Sequence, residues 1–225
     1  AGAAPSILCL VRGERKGSGT EKGVLMKQFV STAALAAGCL AAALLCAWGC
    51  ARLTAGSVSE KLTRLQIVAH SDSEEDQEIK RAVRDRVQAR VRLVTAECTD
   101  KRAAEAALRE ALAQIEAEAQ ETVYASGRVY PARARLERVE YPFRDYGSFA
   151  LPAGEYTALR VILGDGEGQN WWCVAFPALC EPLAEAELGE RARGAGFSER
   201  ELAFIRSDGA RARFFLLELF EKWFA

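Results

Sequence analysis

Histidine is almost absent from this chain. His70 is the only one among 225 residues, which excludes a metal site built on two histidines of one molecule. It also leaves a histidine-based catalytic relay with a single candidate base. A surplus of positive charge is missing as well. The formal net charge is −1, and from residue 56 onward 24 Lys and Arg stand against 29 Asp and Glu, a net of −5. No nucleic-acid partner is expected, because binding to a phosphate backbone needs clustered basic charge. No internal repeat is evident. Apolar residues, by contrast, make up half the chain, enough for a real core. Roughly 170 residues remain once the N-terminal segments are set aside, which suits one domain.

Methionine is equally scarce, and Met26 is the only one. Residues 1–25 show no sustained periodicity and read as non-native upstream sequence, with Met26 the expected start; a true N-terminal extension is the alternative. After Lys27, the stretch Phe29 to Ala51 has 23 residues without a charge, long enough to span a bilayer as a helix. Gly49-Cys50-Ala51 offers small residues for cleavage after Ala51. A signal peptide and an uncleaved anchor both fit this pattern. Three positions before Cys39 and Cys50 stand Ala36 and Ala47, not the large apolar residue a lipidation signal has there, so lipidation is not favoured. The expected division is 1–25 upstream extension, 26–55 leader or anchor, and 56–225 an exported domain.

Leu62 to Ala69 reads as a strand, with Leu65, Ile67 and Ala69 alternating with Arg64, Gln66 and Val68. His70-Ser71-Asp72-Ser73 ends it and starts a helix. Ser73 suits the N-cap, where its hydroxyl accepts from first-turn amides. Glu74, Glu75 and Asp76 sit where the helix dipole favours negative charge. Ile79, Val83, Val87, Val91 and Val94 then form one apolar stripe over about 74–97. Thr99 or Asp100 caps a second helix over about 101–124, striped by Ala104, Leu108, Ile115 and Ala119. The short connection implies an antiparallel helical hairpin. Gly127 marks its end. In the strand Ala132 to Phe143, Ala134 and Leu136 keep one phase while Val139 and Tyr141 keep the other, which suggests a β-bulge near Glu137-Arg138.

Tyr156 to Leu163 and Trp171 to Phe176 read as a hairpin at the middle of the sheet, joined by Gly164-Asp165-Gly166-Glu167-Gly168. The second strand is apolar on both faces, as in a central strand covered above and below. Glu181 to Ala195 reads as surface. Ser198 caps a short helix over 199–206, and a final helix is expected over 211–224. The fold class is α+β: a mostly antiparallel sheet packed with a long helical hairpin and a C-terminal helix.

The candidate chemistry is thin. The three alternating glycines lie between strands and carry Asp165 and Glu167, so a hairpin turn fits better than a phosphate loop. His70, Ser71 and Asp72 are the residue types of a catalytic triad, but consecutive residues cannot form the required relay of hydrogen bonds. Cys98, Cys173, Cys180 and one His give no metal spacing. Cys173 and Cys180 fit either a disulfide, outside the cytoplasm, or two buried thiols. Trp171 and Trp172 point to opposite faces of their strand; core packing fits both, and one of them would suit a partner anchor. The acidic turn of Asp72, Glu74, Glu75 and Asp76 is the next candidate contact surface. Catalytic residues, cofactor sites and metal sites are all read as none.

Two stretches, IVAHSDSEEDQEIKRAVRD (67–85) and DYGSFALPAGEYTALRVILGDGEGQNWWCVAFPALC (145–180), preceded by the apolar leader at 29–51, resemble the stage II sporulation protein R family of endospore-forming bacteria. His70 stands where that family usually has Asn. The resemblance implies a signalling protein that is not an enzyme and has no cofactor. It would be made in the forespore and exported across the forespore membrane to the intermembrane space, secreted or held by residues 29–51. There it would activate a mother-cell membrane aspartic protease that processes pro-sigma-E. Two other classes stay open: a secreted hydrolase with a carboxylate site and a structural envelope protein.

Overall fold

The computed structural model describes residues 18–179, 185–206 and Phe214. The chain divides into two compact units, Ala1–Ala47 and Trp48–Ala225. Helix α1 runs Ser18–Ser59. Over Ser31–Ser59 it is long and apolar enough to cross a membrane, which is compatible with a signal sequence or an anchor. In the first unit Leu35, Leu40, Leu44 and Leu45 are all exposed, so over residues 31–47 the helix is apolar without a buried stripe.

The second unit is built on strand β1 (Thr63–Val68), whose six residues are all buried. The helical hairpin follows as α2 (Glu74–Thr95) and α3 (Lys101–Ala125), with Ser73 and Asp100 as N-caps. Then come β2 (Ala132–Tyr141), the two-residue strands β3 (Arg144–Asp145) and β4 (Ala150–Leu151), β5 (Gly154–Leu163), β6 (Asn170–Phe176), α4 (Glu185–Gly194) and α5 (Glu199–Ile205). The main sheet has the order β2-β5-β1-β6. β1 runs parallel to β5 and antiparallel to β6, and β2 is antiparallel to β5. Two of the three ladders are thus antiparallel, and the class is α+β as expected.

Three expectations are corrected. β5 and β6 do not form a hairpin: β1 lies between them, and β6 is an edge strand. The glycine-rich segment does not turn back on β5. It crosses the end of β1, where the Glu167 and Gly168 amides donate to His70 O at 3.2 Å and Ala69 O at 3.0 Å. Second, the β2–β5 register is unbroken from Ala132↔Leu163 to Tyr141↔Gly154, with no bulge. The change of phase arises because β2 serves two cores. Ala134 and Leu136 face the helical hairpin, while Val139 and Tyr141 face the other side of the sheet. Third, α4 lies within the stretch expected to be surface and buries Leu188 and Ala192. The helix expected over 211–224 lies outside the described residues apart from Phe214, which is helical and buried against Phe143 and Phe204.

The first core joins Ile79, Val83, Val87 and Val91 of α2 and Leu108, Ile115, Ala119 and Val123 of α3 to Leu65, Ile67, Leu159 and Val161 of the sheet. Each fully buried aliphatic side chain contributes about 1.5–3 kcal/mol. The opposite face carries Tyr141, Tyr156, Ala158, Val174 and Phe176, which pack with Leu188, Leu202 and Ile205 of α4 and α5. The exposed edge of β2 is blunted by α3: the Ala132 and Ala134 amides donate to Gln120 Oε1 and Glu116 Oε2, both at 2.8 Å.

The end of α1 is tied to α5 by one buried carboxylate. Glu201 is 5 % exposed and closes a capping box with Ser198. It also accepts from Lys61 Nζ at 2.7 Å and from the Ser57 hydroxyl. Burial raises its pKa, but the bonds from Lys61, Ser57 and Ser198 outweigh that and lower it from 4.5 to about 2. A depressed folded pKa means the stabilisation is complete above the unfolded value and is lost as pH falls through the folded one. Glu201→Gln is therefore expected to cost about 3 kcal/mol near neutrality. Its deficit against the parent should shrink steadily as pH falls from 4.5 toward 2. Urea unfolding of both proteins across that range checks this, and a deficit independent of pH would contradict it.

Candidate functional site

The two motif stretches meet at the end of β1. Leaving the sheet, the chain makes the turn His70 to Ser73 and enters α2, and Ser73 Oγ accepts from the Asp76 amide at 3.2 Å. Asp76 is only 4 % exposed. Its carboxylate accepts from Ser71 Oγ at 2.5 Å and from Tyr130 Oη at 2.9 Å. Burial raises its pKa, but bonds from Ser71, Tyr130 and Ser73 prevail and hold it below the usual carboxylate value. The same bond, after burial, raises Tyr130. Tyr130 in turn stacks on His70, ring centroids 4.6 Å apart.

The glycine-rich loop is laced onto this turn. The Asp165 amide donates to His70 Nδ1 at 3.1 Å, and the Gln169 amide donates to Asp72 Oδ1 at 2.7 Å. Lys80, also buried, donates to Gln169 O at 3.0 Å, and burial lowers its pKa. Gly168 approaches Ser71 so closely that a Cβ would lie 2.3 Å from its carbonyl oxygen. The motif residues therefore build a knot between two loops. Asp72, Glu74 and Glu75 are exposed on its outside, and Glu75 pairs with Arg128. His70, Ser71 and Asp72 face different partners and form no relay.

The tryptophans fall on opposite faces of β6, and both are half-buried. Trp171 packs with the helical-hairpin core under Arg84, which is 5.8 Å from its ring centroid. Trp172 packs edge-on against Tyr141 at 4.8 Å, with Arg144 at 5.2 Å. Truncating either removes buried ring area, but only Trp172 supports a second aromatic residue. Trp172→Ala is expected to cost about 3 kcal/mol and Trp171→Ala clearly less. Thermal unfolding of the two variants tests the order; a reversed order would place the stronger packing on the hairpin side.

Arg64 is the feature that pattern reading misses. It is fully buried on β1, with its guanidinium carbon 4.3, 5.0 and 5.7 Å from the ring centroids of Tyr141, Tyr156 and Tyr146. Nη2 donates to Tyr146 Oη at 2.5 Å, while Nε and Nη1 have no hydrogen-bond partner among the described residues. Burial raises the pKa of all three phenols, so neutral rings face the cation. Alternation on β1 makes Arg64 look like a solvent-facing residue. The one hint is that three of the five tyrosines lie within 141–156.

Cys173 is disulfide-bonded, and Cys180, the expected partner, lies outside the described residues. Cys98 is free and half-buried, and burial raises its pKa. Among the described residues no group of three or more His, Cys, Asp or Glu side chains is placed to hold a metal ion.

The profile of the family described as stage II sporulation protein R (spore_II_R) matches residues 59–185. That span holds the knot, Arg64 and both tryptophans. The chain belongs to this family. It is similar to the stage II sporulation protein R of Bacillus subtilis (strain 168), with 32 % identity over 180 residues, covering 72 % of this chain and 80 % of that protein. No solved structure matches.

Proposed function

We propose that this chain is the exported signal of the sporulation family to which it belongs. In this reading the forespore releases it into the intermembrane space. There it binds and activates a mother-cell membrane aspartic protease that processes pro-sigma-E. The observation that carries the reading is the family match over residues 59–185, following a helix apolar and long enough for a signal sequence or anchor. A domain of this kind acts by presenting a surface, and the motif knot is suited to hold such a surface rigid.

A secreted hydrolase is the less favoured alternative. A carboxylate general acid needs a raised pKa, whereas burial at Asp76 and Glu201 is outweighed by hydrogen bonds that lower both. A purely structural envelope protein would need no receptor. The deciding experiment is reconstitution in a non-sporulating host carrying the protease and pro-sigma-E. The full exported chain is expected to trigger processing, and a form lacking 26–47 and so retained inside is not. Processing that proceeds equally without the chain, or never appears with it, would reject the reading.

A further inference from the structure

The face of the sheet opposite the helical hairpin packs with α4 and α5 through Tyr141, Tyr156, Val174 and Phe176. Beyond that packing lies a row of polar cross-strand neighbours, exposed at Arg133 and Arg135, partly exposed at Arg160 and Trp172, and buried at Gln66. Arg135 on β2 stands opposite Arg160 on β5, Arg160 beside Gln66 on β1, and Gln66 opposite Trp172 on β6. Arg133 follows two residues from Arg135 on the same face, opposite Ile162. Two arginines placed directly opposite each other are destabilising. The domain as a whole is acidic, so an excess of positive charge here runs against its composition.

The two facing cations differ in state. Arg160 is held in place: its Nε donates to Gln66 Oε1 at 2.8 Å and its Nη1 to Glu137 Oε1 at 2.6 Å. Gln66 is itself 4 % exposed and donates to Asn170 Oδ1 at 2.7 Å. Arg135 and Arg133 are exposed and make no ion pair among the described residues. Arg144 lies over Trp172 at the end of the row. A fixed guanidinium beside two free ones suits carboxylates presented along an extended chain.

We infer that this arginine cluster is a docking surface for an acidic protein segment whose carboxylates meet the exposed Arg133 and Arg135 and the partly exposed Arg160. A flat lipid surface fits less well, because its anionic headgroups would face Glu137, Asp165 and Glu167 together, whereas an extended segment can set its carboxylates on Arg133 and Arg135 alone. The inference does not depend on the protease reading, since it concerns binding alone.

The test uses the full chain in non-ionic detergent and a fluorescein-labelled poly-glutamate peptide, read by anisotropy. Arg133→Glu with Arg135→Glu changes exposed, unpaired side chains. Arg102→Glu with Arg109→Glu on the exposed side of α3 matches the charge change. The first pair is expected to weaken binding about tenfold or more with no fall in melting temperature, and the second to leave it within about twofold. No saturable binding, or equal loss in both variants, would overturn the inference. So would arginine-dependent binding to phosphatidylglycerol vesicles in place of the peptide. Sedimentation showing that the row holds two copies of the chain together would overturn it as well.

Discussion

Asp76→Ala is expected to destabilise the second unit by about 3–4 kcal/mol, a large part of the roughly 5–15 kcal/mol that holds a domain folded. The side chain is buried, and its removal strands two hydroxyl donors, Ser71 and Tyr130, that now end on a carboxylate. Hydrogen bonds to a charged group contribute about 1.5–3 kcal/mol each, and a buried donor left unmatched costs about 1–3. Asp76→Asn keeps the shape and one acceptor oxygen, so about half that loss is expected. The effect has a pH signature: because the folded pKa is depressed below 3.8, the deficit of the Ala variant should narrow as the parent is acidified through and below that value. Urea unfolding at neutral and acid pH measures both. If Asp76→Ala unfolds like the parent yet abolishes signalling, the carboxylate is a partner contact and not a structural tie.

The helices are legible in the sequence because their signals are local. Ser73, Asp100 and Ser198 act at their own helix ends, and the valine stripe of α2 lies within a single element. The order of the strands is not legible. Nothing near Leu163 or Trp171 says that a strand a hundred residues earlier will slip between them, because parallel pairing of β1 with β5 is a long-range choice. Arg64 and Gln66 disguised it further. A central strand is usually apolar on both faces, and two polar residues on one face of β1 imitate an edge. Tyr141, Tyr146 and Tyr156 make that burial tolerable through their rings, since a desolvated cation over an aromatic face gains about 2 kcal/mol. The apolar run of β6 misleads in the opposite direction. Its far residues are buried by α4 and α5 on one side and the helical hairpin on the other, although the strand is at the edge.

Gly168→Ala should be the most damaging small substitution in the domain, costing about 3 kcal/mol or more, and it should resist rescue. The new Cβ would meet Ser71 O at 2.3 Å and Ala69 Cβ at 2.8 Å. Both belong to the turn that Asp76 and Ser73 lock, and the Gly168 amide is bonded to Ala69 O. Neither neighbour can yield without opening the knot. Gly164→Ala meets a different obstacle. Its Cβ would lie 2.2 Å from His70 Nδ1, a side-chain atom, and its φ of +56° adds strain for any L residue. Removing the ring removes the first cost but not the second. His70→Ala is therefore expected to recover about 1–2 kcal/mol of the loss in Gly164→Ala, a coupling typical of residues in contact. The same His70→Ala change should add to Gly168→Ala without coupling. Melting curves of the three single and two double variants give both numbers. Equal coupling at the two glycines would mean that the loop yields as one body, and that the close approach of Gly168 to Ser71 is not what fixes its position.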